Sequence, residues 1–174
     1  MMKPEREGTG VLHTICKQGN SLDFEFSWCI ETHRDGVTND AKDMWCFSIE
    51  QNGDLFQFEI VDEGAYMRVQ HLDRNGSDRY EAKGIPEAFI RLAHQMFQIP
   101  IGSSKELLVK SKDYPGVMVS AEKHSSDARK VWQRLVGWGE AYMDEAEGRY
   151  FYPIQNQATT VEVVTDTDSE QAPL

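Results

Sequence analysis

The stretch MWCFSIEQNGDLFQFEI, residues 44–60, decides the fold. Trp45, Phe47 and Ile49 alternate with their neighbours before Asn52-Gly53, and Phe56, Phe58 and Ile60 alternate after it. Period two puts those apolar side chains on one face of two half-buried strands. Asn-Gly supplies the positive φ angles that a tight hairpin turn needs, so the segment predicts a β-hairpin. Toward the N-terminus, SLDFEFSWCI (residues 21–30) repeats the pattern, with Leu22, Phe24, Phe26, Trp28 and Ile30 opposite Asp23, Glu25 and Ser27. The polar stretch 33–43 between them reads as a loop, and residues 1–10 as a loose leader. Toward the C-terminus, residues 66–72 read as a further strand before the turn-rich DRNGSDR. The first half is therefore an antiparallel meander of about four strands.

After residue 80 the period lengthens. In GIPEAFIRLAHQMFQ, Phe89, Leu92, Ala93, Met96 and Phe97 follow helical spacing, and Pro86 suits a first helical turn. IPIGS reads as a short strand, and the stretch around 110–124 fits no single element. In SSDARKVWQRLVGWG, Ser125 or Ser126 can cap a helix striped by Ala128, Val131, Trp132, Leu135 and Val136, and Gly137 or Gly139 can end it. EAYMDEAEGRYFYP reads as two short strands around a turn. From Ala158 the chain holds acids, Thr and Ser without Lys or Arg, the composition of a mobile acidic tail. The expected fold class is α/β (α+β), a mixed, mostly antiparallel sheet with two main helices. It forms a single domain over 11–157, followed by a tail over 158–174.

With 174 residues, the chain can bury one core. Its 29 acidic and 18 basic residues give a net charge of −11, which opposes nucleic acid phosphates and fits a basic protein partner. Cys16, Cys29 and Cys46 are odd in number and form no C-x-x-C pair, so neither metal nor disulfide is expected; His13-x-x-Cys16 stands alone. No signal core or membrane span is visible, and cytoplasm is the expected location.

At Lys83-Gly84-Ile85-Pro86-Glu87-Ala88 and the helix that follows, the chain resembles the GNAT (GCN5-related N-acetyltransferase) family over roughly residues 66–152. The resemblance implies a turn whose backbone N–H groups hold a coenzyme A pyrophosphate at a helix N-terminus, here through Lys83, Gly84 and Ile85. A second match is Ser125-x-x-Ala128-x-x-x-Trp132, where the family carries Asn-x-x-Ala-x-x-x-Tyr. Three positions depart from the pattern. Glu81 stands where a basic or amide residue belongs, and Pro86 has no N–H to donate. Together they cost a bound pyrophosphate about 2–4 kcal/mol, enough to move a micromolar ligand toward millimolar. Trp132 replaces the family's acid Tyr, and an indole N–H is no acid at neutral pH.

The resemblance places a general base at Glu59 or His71, and Tyr114, Tyr142, Tyr150 or Tyr152 can replace the missing acid. Three functions follow. The expected one is a non-catalytic, acidic GNAT-like protein that binds a macromolecular partner without a cofactor, by analogy with accessory or inhibitor proteins of phages and mobile elements. The alternative is an acyl-CoA-dependent N-acetyltransferase using acetyl-CoA. The third is a winged-helix regulator reading DNA through Arg129, Lys130 and Arg134. An open V between parallel central strands and a neutral or basic pocket above Gly84 distinguish the enzyme from the binder.

Overall fold

The computed structural model describes residues 5–36, 38–105, 108–110, 115, 118–120 and 126–154. Five long strands come first: β1 (Glu7–Ile15), β2 (Ser21–Arg34), β3 (Ala41–Gln51), β4 (Asp54–Asp62) and β5 (Met67–Asp73). A single 3-10 turn (Asp78–Tyr80) leads to helix α1 (Ile85–Phe97) and a short strand β6 (Ile101–Gly102). β7 (Leu108–Lys110) and β8 (Met118–Ser120) form a separate two-stranded ribbon. Helix α2 (Ser126–Gly137) and strands β9 (Tyr142–Asp144) and β10 (Arg149–Tyr152) complete the fold. The main sheet has eight strands in the order β1-β2-β3-β4-β5-β6-β10-β9. Every pairing is antiparallel except β5 with β6, which α1 connects as a crossover. This is the mixed, mostly antiparallel sheet with two helices that the sequence pattern predicts.

The hairpin forms at Asn52-Gly53, where φ is 51° and 86° and Gln51 pairs with Asp54. β1 corrects the reading of residues 1–10 as leader, because the strand already begins at Glu7. Gly8 faces Trp28 and Gly10 faces Phe26, and their missing side chains make room for the rings. A Cβ would meet the indole at 2.7 Å in one case and the phenyl ring at 2.5 Å in the other. Glycine, ordinarily a strand weakener, is here the residue that lets aromatic rings lie across an edge strand.

Phe89 of α1 centres the core. Its ring lies 5.1–6.0 Å from those of Phe26, Phe47, Phe56 and Phe58 on three successive strands. The predicted stripe of α1 is shifted: Ile85, Ala88, Phe89, Ile90 and Ala93 are buried, while Met96 is 40% exposed. α1 packs against β1, β6, β10 and α2, so its buried arc is wider than one stripe. On α2, Val131, Trp132 and Leu135 are buried, and Val136 is exposed rather than part of the stripe. The acidic tail expected from residue 158 lies outside the described residues. Among those described, no helix is long and apolar enough to cross a membrane.

Candidate functional site

β5 and β6 pair only at Met67↔Ile101 and Arg68↔Gly102. β5 then continues to Asp73 without β6 beside it. The chain leaving β6 is drawn toward β10: the Ser103 N–H donates to the Tyr150 carbonyl, and the Tyr150 N–H donates to Ser103 Oγ, both at 2.9 Å. Ser104 Oγ bonds the Val69 carbonyl at 3.2 Å, a single clasp where the ladder ends. A register shift against β4 between Glu59 and Ile60 leaves Gln70 without a partner at the same place. Such a bulge bends a strand and ends regular pairing. The parted strands open onto a cleft of about 1250 Å³, walled by the second half of β5, the end of β1, the entry to α1, and α2.

The entry to α1 is built on Gly84, in the left-handed region at φ 75°. A Cβ there would lie 2.5 Å from the Ile15 carbonyl oxygen, so the end of β1 rests directly on this turn. The Lys17 N–H fixes the contact by donating to the Ala82 carbonyl at 3.1 Å. Among the described residues, no acceptor engages the N–H groups of Gly84 or Ile85. Four such donors open every helix, and Pro86 removes one of them here.

Among the described residues, six Lys or Arg and five Asp or Glu line the cleft, a balance of +1 in a chain of −11. Two pairs tie its walls together. Arg134 holds the buried Glu87 across the two helices at 2.7 Å, and Arg91 grips Glu140 through two bonds of 2.8 Å. Lys17, Lys83 and Lys130 also line it, as do Glu81 and Asp127. Thr14, 5% exposed, lines the same wall, and its Oγ1 is buried without a hydrogen-bond partner among the described residues. A buried hydroxyl with no partner costs free energy until something bonds it. Cys16 stands beside it. Burial pulls its thiol up, but the backbone N–H groups of Asn20, Gln18 and Gly19 together with Lys83 outweigh that, and the net direction is down.

Of the sequence-predicted residues, Lys83 and Gly84 line the cleft. The Ile85 side chain does not: it is fully buried in the core, and only its backbone remains available. Glu59 and His71 are direct cross-strand partners on the face away from the core. His71 reaches the cleft, with Nε2 3.8 Å from Asp73, while Glu59 stays outside it. Tyr142 is 41% exposed on β9, against Phe151 and away from the cleft. Trp132 is core, 1% exposed and stacked on Tyr150 at 6.0 Å, while its edge forms cleft wall. Burial, then Glu140, pushes the Tyr152 hydroxyl up, and it too lies off the lining. Tyr114 and Ser125 lie outside the described residues. The two strands of the expected wing, β9 and β10, belong to the main sheet, and Arg134 is committed to Glu87. His13 is bound to Asp23 at 2.6 Å, not joined with Cys16.

Thr14 and Lys17 are not legible as site residues because β1 is not, and Cys16 shows only as an isolated His13-x-x-Cys16. The alternation of Leu12 and Thr14 was their only local signal. Comparison with family models, with curated proteins and with solved structures found no match to this chain.

Proposed function

We propose that the cleft binds a coenzyme A thioester and that the chain is a GNAT-like acyl-CoA protein acting as an N-acyltransferase. One observation carries this: parallel strands that part after two residue pairs and open onto the Gly84 entry of a helix. That is where the family resemblance puts the cofactor. The local charge balance of +1 supports the same reading, since it removes the repulsion that the net charge of −11 suggests. In this reading Lys83 and Lys17 meet phosphate oxygens beside the free N–H groups of Gly84 and Ile85. Thr14 donates its unpartnered hydroxyl to the bound chain. His71, at the cleft with Asp73 3.8 Å away, takes the proton from an incoming amine as the thioester carbonyl is attacked, and returns it to the coenzyme A thiolate as the carbon–sulfur bond breaks. In this reading the protein works in the cytoplasm, the location expected from its sequence.

The test is isothermal titration of acetyl-CoA and of free coenzyme A into the purified protein, with Lys83→Glu and Thr14→Val as variants. Glu81 and Pro86 weaken the site and Lys83 and Lys17 offset part of that, so binding in the range of about hundreds of micromolar is expected, weakened about tenfold or more by Lys83→Glu. No heat at millimolar ligand would reject the proposal in favour of an acidic protein that binds a macromolecular partner without a cofactor.

A further inference from the structure

The face of the sheet turned away from the core carries a second constellation, independent of the cleft. Cys29 on β2 and Cys46 on β3 are direct cross-strand partners. Glu31 lies two residues beyond Cys29 and therefore on the same face. One ligand atom from each of the three lies within 4.8 Å of the other two, and Cys29 Sγ is 4.0 Å from Glu31 Oε1. We propose that Cys29, Cys46 and Glu31 form a binding site for a thiophilic divalent cation of the zinc class.

The geometry is near what the metal requires. Two ligands on bonds of about 2.3 Å in a tetrahedral array sit roughly 3.8 Å apart, so small side-chain rotations close the site. Two thiolates and a carboxylate suit zinc and select against the hard cations that prefer all-oxygen shells. Neighbouring strands offer a fourth ligand from either side: Glu7 opposes Cys29 on β1, and Glu59 opposes Cys46 on β4. The residues directly opposite Cys29 and Cys46 across the sheet are Glu7, each other and Glu59, with no Lys or Arg among them. Added negative charge is unwelcome beside those carboxylates. A divalent ion reverses that balance and displaces the thiol protons. Both thiols are half-buried and free, open enough for an ion to enter. The strand pairing fixes the backbone of all three ligands, so little ordering accompanies binding.

The experiment loads fully reduced protein with cobalt(II) and then competes it with zinc. An intense near-ultraviolet sulfur-to-cobalt charge-transfer band is expected at one equivalent, bleached by zinc. Cys29→Ser and Cys46→Ser should each remove about half of the band and weaken binding beyond the ~10–100-fold of an outer-shell change. Glu31→Gln should keep the band but weaken binding, and Cys16→Ser should leave both unchanged. Absence of the band in reduced wild-type protein would overturn the proposal. So would a band of undiminished intensity in both Cys29→Ser and Cys46→Ser, or a Cys29–Cys46 disulfide that forms in air at a rate zinc does not slow.

Discussion

Glu63 shows how much one side chain can bind together in this sheet. It accepts from Lys42 Nζ at 2.6 Å and from Arg68 Nε at 3.2 Å, with only 16% of its side chain exposed. Burial pulls its carboxyl up, but the two cations outweigh that and hold it below the ordinary 4.5. A carboxyl depressed by folding stabilises the fold above its unfolded pKa, and that stability disappears as pH falls through the folded value. Glu63→Gln is therefore expected to cost about 1–2 kcal/mol at neutral pH, a buried-pair loss discounted for partial exposure. Urea unfolding of both proteins at neutral pH and at about pH 3 measures this, since the difference should shrink as Glu63 protonates. An equal penalty at both pH values would show that the loss is packing and not charge.

Two glycines at helix ends compare backbone strain with crowding at the scale of elements. Gly139 ends α2 at φ 76°: its N–H donates to the Val136 carbonyl, and the Glu140 N–H to the Leu135 carbonyl. That pair of bonds is the usual left-handed helix stop. Gly84 opens α1 at nearly the same angle, but Gly139 has open space where Gly84 has the Ile15 carbonyl. Gly139→Ala should cost about 1 kcal/mol, the left-handed penalty alone. Gly84→Ala should cost roughly twice that or more, because β1 must also move. Chemical denaturation of the two variants checks the ordering, and equal losses would mean β1 yields freely. The same comparison marks how far the sequence could be read. Alternation identifies β2 to β5, and Gly84-Ile85-Pro86 identifies the start of α1, because those signals are local. β1 was hidden because Gly8 and Gly10 look like loop until the rings of Trp28 and Phe26 cover them. Lys83 and Gly84 were legible as a helix entry, whereas Thr14 and Lys17 reach the cleft only through a strand distant in sequence. Spacing carries no such contact. Cysteine number and spacing likewise predict no metal at Cys29 and Cys46, since pairing register, not spacing, brings them together.

At the scale of the whole molecule, one ring joins the meander to the crossover helix. Phe89 touches aromatic rings on β2, β3 and β4, and it is fully buried. Phe89→Ala should lower the unfolding free energy by about 3–5 kcal/mol, the cost of a large cavity in a packed core. A loss under about 1 kcal/mol in a denaturant titration would mean the surrounding rings collapse into the space. The sheet order has a different consequence, one of time. β10, the last strand of the main sheet in sequence, lies between β6 and β9 rather than at an edge. A ribosome adding about 5–20 residues each second needs roughly 2–10 s to pass from β6 to β10. Throughout that interval the nascent meander is complete while β6 has a bare flank, and the clasps from Ser103 to Tyr150 have nothing to grip. An unpaired flank of this kind invites other strands. The half-made sheet is therefore open to mispairing until β10 is inserted.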